Sequence, residues 1–267
     1  MEYIFEIGAF KLRWYSMLVA AGFLVGAYVA VTEAKRRGDD HNHVYNILLL
    51  ALPLALIGAR AYHVVDLWDE IYRDDLGRII LINEGGIGIY GAIAGSILAV
   101  FIYTRWQKLP LLRWLDIGAP GLIVGQAIGR WGNFFNEELY GRPTDLPWAI
   151  SIPLNKRIPG FAGFSDFHPL FLYESLLNIM AFGAMMFVGR RFGDRLKSGD
   201  IVLMYGLSYG AIRLGLENLR IGNWVAGAGV PVATIFSAVA VAGCGGALLY
   251  RHWLQPKLAA RRTAEAG

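Results

Sequence analysis

The chain has 267 residues, 55% of them hydrophobic and only 17% charged, with a mean hydropathy of +0.43. A soluble domain carries roughly a quarter charged residues, so these figures exclude a disordered chain and a disulfide-stapled scaffold, and leave too little polar surface to cover the molecule in water. The formal charge of +4 falls in short clusters between apolar runs, not in the one long basic patch of a nucleic-acid binder.

Three uncharged runs, Trp14–Thr32, Gly85–Thr104 and Ile221–Tyr250, each approach or exceed the roughly 20 residues needed to cross a ~30 Å hydrocarbon core. Val44–Val65 carries Arg60 as its one charge, and Leu111–Gly129, His168–Gly189 and Ile201–Leu219 carry one or two ionisable residues each. The expected fold is therefore an all-α polytopic membrane protein of seven transmembrane helices, one membrane-embedded domain over residues 1–267, with a small extracytoplasmic head and arm segments. The first run is too long for a signal-peptide core and lacks a small-x-small cleavage site before Lys35, so it is expected to persist. Cys244, the single cysteine, lies in an apolar stretch and suits packing better than chemistry.

Alternate connections differ in basic residues. One side holds 14 Lys and Arg and the other nine over a longer length, with Arg60 and Arg213 inside spans. Cytoplasmic loops retain the basic residues, which places the N-terminus outside and the tail, residues 256–267, in the cytoplasm. On the outer side, residues 66–84 read as an acidic, partly interfacial arm. Residues 131–167, broken by Arg142-Pro143 and Leu146-Pro147, read as a head in which Trp148–Ile152 alternates like a strand.

With 1.5 Å of rise per residue, orientation converts position into depth. Arg60, Arg130 (ending span 4), Arg213, Glu217 and Arg220 (at i+4 and i+7 from Arg213), Tyr15, Tyr90, His168 and Glu174 then share the outer headgroup level, while Asp116 lies near the inner end. Intramembrane charges are expensive and normally face a partner or a wet cavity, so their coincidence argues for a site, and clustered guanidiniums suit a phosphate. The plainer alternatives are a helix-stabilising Arg213–Glu217 pair and an Arg60 that snorkels to the interface.

Gly129–Arg142 reads G-R-W-G-N-F-F-N-E-E-L-Y-G-R, which offers two arginines, two asparagines three apart and a carboxylate; its plainer reading is an interfacial turn capped by asparagines. The run resembles the signature of the prolipoprotein diacylglyceryl transferases, G-R-x-G-N-F-x-N-x-E-x-x-G. Further pieces stand in order along almost the whole chain: Leu12–Tyr15, Gly58–His63, Asp116–Pro120, His168–Glu174 and Tyr209–Glu217.

The resemblance implies transfer of diacylglyceryl from phosphatidylglycerol to the lipobox cysteine thiol in the signal peptide of a prolipoprotein, within the bacterial cytoplasmic (inner) membrane and toward its extracytoplasmic side. Besides these substrates the implied partners are membrane lipids, and no nucleic acid, metal or cofactor is expected. It carries the role of phosphate clamps onto Arg130 and Arg213, and that of site residues onto Tyr15, Asn133, Glu138, Gly141 and Glu217. Arg60 and Arg220 are further candidates for binding the lipid. Glu217 is expected to orient Arg213, and Glu138 to position Arg130 or its loop. Many family members carry a histidine, favoured as the base, in a turn where this chain has Tyr90. Tyr90 as a hydrogen-bonding group, Tyr90 activated by an arginine, and a recruited His168 all remain open, although His168 before a proline also suits a turn or cap. The rival class is a lipid transporter or a non-catalytic relative that binds phospholipid or lipoprotein precursors. A transporter would show inverted repeats or broken helices, and none are visible in the sequence.

Overall fold

A computed structural model describes residues 3–7, 10–81, 85–86, 88–222 and 231–257. The described residues form seven α-helices: α1 Trp14–Arg36, α2 Asn42–Asp66, α3 Ile89–Trp106, α4 Leu111–Asn136, α5 Leu170–Arg191, α6 Asp200–Gly215 and α7 Val232–Leu249. Each falls on one of the seven apolar runs, and the boundaries differ where charge is tolerated. Helix α1 continues past Thr32 because Glu33 folds back on the helix and pairs with Arg36 at 2.8 Å. It stops at Gly38, whose φ of +75° lets Asp39 N–H reach the Ala34 carbonyl.

Five helices among the described residues are long and apolar enough to cross a membrane: α1, α2, α3, α5, and α7 with its extension to Lys257. This makes the chain a multi-pass membrane protein. Helix α6 has only 16 residues, and α4 carries Arg113, Asp116 and Arg130 among its 26. A short hairpin, β1 (Tyr3–Ile7) with β2 (Phe10–Arg13), precedes α1; its segments are too brief to rise above the apolar background of the sequence. The tail beyond Lys257 and residues 223–230 of the last apolar run lie outside the described residues.

The chain packs as two compact units. The smaller, Ala30–Ile117, holds α2, α3 and a core of Val31, Ala34, Val44, Ile47, Tyr103, Trp114 and Ile117. Within it Arg113 Nε donates to both oxygens of Asp39 at 2.9–3.0 Å, and Tyr103 OH accepts from Asn46 and meets His43 Nδ1. The arm between α2 and α3 has a π-helical turn at Trp68–Tyr72 and a 3-10 turn at Leu76–Ile80.

The larger unit comprises Met1–Val29 and Gly118–Gly267. Here α1 and α4 touch through backbone: a Cβ on Gly121 would stand 2.4 Å from the Gly26 carbonyl oxygen, and one on Gly22 would stand 2.8 Å from that of Gly125. Such contacts suit a membrane protein, where close packing replaces the hydrophobic drive between helices. Trp131 Nε1 donates to Ser175 Oγ, which donates to the Ala127 carbonyl, joining α4 to α5. Gln126 donates to Tyr205 OH and joins α4 to α6. Cys244 is a packing residue here, its sulfur 2.6 Å from where a Cβ of Gly206 would lie.

The head begins later than the sequence suggested. Helix α4 runs through Arg130 to Asn136, so residues 131–136 are helical and Arg130 lies about 9 Å before the helix end. Of the alternating run, only β3 (Ile150–Ser151) pairs as a strand, with β4 (Asp166–Phe167). The head closes over Tyr140, Ile152 and Phe167. At its surface the Ser151 hydroxyl, and then that of Ser165, hold the Asp166 carboxyl below the usual carboxylate range.

Candidate active site

The larger unit assembles five charged side chains. On the first turns of α5, Glu174 is 5% exposed, and its two carboxylate oxygens face different arginines. Arg130 Nε of α4 lies 2.5 Å from Oε2, and Arg220 Nη2 is paired with Oε1. Arg213 Nη1 of α6 meets Glu217 at 2.9 Å. Arg130 also lies within electrostatic reach of Arg213, Tyr15 and Tyr209. Three guanidiniums against two carboxylates leave one positive charge in excess over this group, which is the complement of a monoanionic phosphodiester.

The turns around the cluster are shaped to deliver it. Helix α6 ends at Gly215 and a 3-10 turn covers Glu217–Leu219. Arg220 is therefore not on a continued helical face at i+7 from Arg213. It is extended, forms a backbone bridge with Gly141, and reaches Glu174 from outside the helix. Gly141 N–H donates to the His168 carbonyl, and Arg142 N–H to that of Leu219. A Cβ on Gly141 would stand 2.8 Å from His168 Cβ and 2.9 Å from the Leu219 oxygen, so three backbone segments meet where only glycine fits. The backbone of His168 belongs to this junction, its N–H on the Arg142 carbonyl, and its Nδ1 lies 3.2 Å from Tyr173 OH. It is a turn residue at the start of α5.

The asparagines of the motif close α4. Asn133 Nδ2 donates to Glu138 Oε1 at 3.0 Å, Asn136 Nδ2 donates to the same oxygen at 3.2 Å, and Glu138 N–H returns to the Asn133 carbonyl. Between them Glu137, at φ 56°, takes the left-handed conformation, as does Leu139 at φ 54°. Non-glycine residues enter this region at a cost of order 1 kcal/mol or more, and here they flank Glu138, on whose carboxylate both side-chain amides converge. Glu138 thus positions the loop, while the carboxylate on Arg130 is Glu174. Tyr15, 39% exposed, packs its ring against Gly132, where a Cβ would stand 2.7 Å from Cδ2.

Arg60 and Tyr90 belong to the smaller unit, and there the expectation for Arg60 is corrected. It is 8% exposed and does not snorkel. Nε donates to the Ile79 carbonyl, Nη1 to Gly85 and Gly86, and Nη2 to Arg78 and Leu81. A guanidinium has five N–H donors, and all five are taken by backbone of the arm and the turn before α3. Arg60 therefore organises the arm and has no donor left for a lipid phosphate. Its guanidinium also lies 5.4 Å from the Tyr72 ring centroid, and Tyr72 OH is 2.9 Å from His63 Nδ1. Tyr90, 58% exposed at the start of α3, has its ring 5.6 Å from that of Tyr62. Glu84 and Ile87 of the same turn lie outside the described residues.

Sequence reasoning located Glu174 in depth and in a motif but gave it no role. The available signal was that two arginines at one depth need a shared anion. Tyr209 was likewise seen only as part of its motif. Because Glu174 pairs with two largely buried guanidiniums, Glu174→Ala should lower stability by roughly 3–5 kcal/mol, the scale for breaking a buried pair. Glu174→Gln, which keeps an acceptor, should lose less. Thermal unfolding in detergent, with transfer activity measured beside it, checks this order.

The family model described as prolipoprotein diacylglyceryl transferase matches residues 2–250. A phosphatidylglycerol–prolipoprotein diacylglyceryl transferase of Chloroflexus aggregans is 39% identical over 261 residues, covering 90% of this chain and 85% of that protein. One of the same name from Gloeobacter violaceus is 41% identical, covering 84% of this chain and 83% of that protein. Another from Finegoldia magna is 40% identical, with 90% and 91% covered. A match over nearly the whole chain, with these relatives, shows that the chain belongs to the prolipoprotein diacylglyceryl transferase family.

Proposed function

We propose that this chain transfers the diacylglyceryl group of phosphatidylglycerol to the lipobox cysteine of a prolipoprotein, making a thioether and releasing glycerol phosphate. The observation that carries this reading is the cluster of three arginines on two carboxylates, one positive charge in excess, in a member of this family. The substrate thiol loses its proton to water, and the thiolate attacks the diacylglycerol carbon that bears the phosphate. The S–C bond forms as the C–O bond breaks, and the electron pair leaves on the phosphate oxygen of glycerol phosphate. What the enzyme supplies is orientation and a counter-charge for that oxygen.

Arg130 and Arg213 clamp the phosphate, with Arg220 beside them. Glu174 orients Arg130 and Arg220, and Glu217 orients Arg213. Asn133, Glu138 and Gly141 hold the end of α4 and the backbone junction, and Tyr15 borders the same helix. A thiol with a pKa near 8.5 already supplies a few per cent thiolate at neutral pH, and nearby guanidinium raises that fraction, so Tyr90 serves as a hydrogen-bonding group and not as the base. An in vitro transfer assay with phosphatidylglycerol and a lipobox peptide tests the activity directly.

Lysine keeps the charge and loses the planar fork of donors. Arg130→Lys and Arg213→Lys should each lose at least about 10²-fold in transfer, the scale of one lost oxyanion donor; full activity in either removes the clamp. Tyr90→Phe should lose less than the roughly 10²–10⁴-fold expected of a missing general base. Transfer at background level in a folded, lipid-binding Tyr90→Phe protein would assign the phenol to proton transfer.

The same reading places the chain in the bacterial cytoplasmic membrane as one domain with seven spans, α4 and α6 included, and its site toward the extracytoplasmic side. The basic ends of α1, α3 and α5, at Lys35–Arg36, Arg105 and Arg190–Arg191, support that orientation. Single cysteines at positions 40, 107, 150 and 195, in a Cys244→Ala background, should react with an impermeant thiol reagent from outside only at 150. Labelling at 40 or 195 overturns the orientation.

A further inference from the structure

Helix α5 carries Glu174 near its start, and the other end of the same helix has a feature that the transfer chemistry does not use. An open groove of about 510 Å³ runs along Gly183, Met186, Phe187, Arg190 and Arg191. The spacing puts these residues on one face, and Leu176 and Met180, 52% and 69% exposed, continue that face toward the helix start. From Leu176 to Phe187 the face is about 16 Å long, close to half of a ~30 Å hydrocarbon core. Gly183 leaves the groove open, for an added Cβ there meets nothing within 4 Å. Phe187 is 63% exposed and forms one wall, and Met186 can follow an irregular chain. The groove ends at two adjacent guanidiniums, and Arg191 lies 5.6 Å from the Phe192 ring centroid.

We propose that this face is a second phospholipid site, distinct from the reaction centre, which seats one acyl chain along Leu176–Phe187 and the phosphate of an anionic glycerophospholipid on Arg190 and Arg191. The proposal rests on the membrane character of the chain and not on the proposed reaction. Charge complementarity selects the occupant: an exposed apolar helix face of acyl length that leads to two adjacent guanidinium charges fits an anionic lipid better than a zwitterionic one, whose ammonium the arginines repel. About 24 Å of helix separates Arg190 from Glu174, so one lipid headgroup cannot serve both.

Native mass spectrometry of the detergent-purified protein, titrated with dioleoyl phosphatidic acid and separately with dioleoyl phosphatidylcholine, tests it. Replacing Arg190 and Arg191 together by alanine should weaken one phosphatidic acid binding step roughly tenfold or more, the scale of lost charge-assisted hydrogen bonds, and leave phosphatidylcholine binding unchanged. Gly183→Leu fills the groove without altering charge and should weaken the same step with its unfolding temperature retained. Arg130→Lys should leave that step intact. Wild-type phosphatidic acid binding in the double alanine variant or in Gly183→Leu overturns the site. So does an equal loss of both lipids in the double variant, or loss of the same step in Arg130→Lys.

Discussion

A carboxylate with both oxygens committed to guanidiniums is the constraint around which the larger unit is arranged. Glu174 is buried, and a buried charge left unpaired costs several kcal/mol. Its two partners come from α4 and from the turn after α6. Several local irregularities follow. Helix α6 has to stop at Gly215 so that Arg220 comes round to α5, and position 141 has to lack a side chain because the Arg220 segment and His168 meet it there. Helix α4 has to end in a fixed geometry, which the amides of Asn133 and Asn136 impose through Glu138.

Arg60 and Arg130 show that the groups which fill an arginine's donors decide its work. Both are arginines of apolar helices, and their positions suggested one role. Five backbone carbonyls surround Arg60, which turns its charge into a fastener for chain that has left regular structure. Arg130 meets a carboxylate through Nε and lies within reach of a second arginine and two phenols. A carbonyl cage uses the geometry of a guanidinium; a partial ion pair keeps its charge available to an anion.

The helices were legible because membrane solvent imposes a simple rule on composition: twenty or so apolar residues, with the charges gathered at the ends. The motif was legible as a resemblance, and the depth argument brought Arg130, Arg213, Glu217, Arg220 and Glu174 to one level. Partnership was not legible. Glu217 lies four residues from Arg213, and helical spacing alone pairs them. Glu174 lies 44 residues from Arg130 and 46 from Arg220 in sequence, and only the fold brings them together. The end of α6 was misplaced because Leu216, Asn218 and Leu219 are unremarkable in a helix, so the 3-10 turn follows from tertiary contacts. The carbonyl cage of Arg60 is made of backbone, which residue types do not encode.

The charge count of the cluster bears on turnover. In the proposed reaction a phosphodiester enters with one negative charge, which the single excess positive charge of three guanidiniums and two carboxylates balances. A released phosphate monoester carries between one and a half and two near neutrality, since its second proton leaves around pH 6. In the proposed reaction the product therefore overfills the clamp, and Glu174 and Glu217 repel the surplus. The carboxylates proposed to position the arginines for substrate therefore also favour emptying the site for the next lipid.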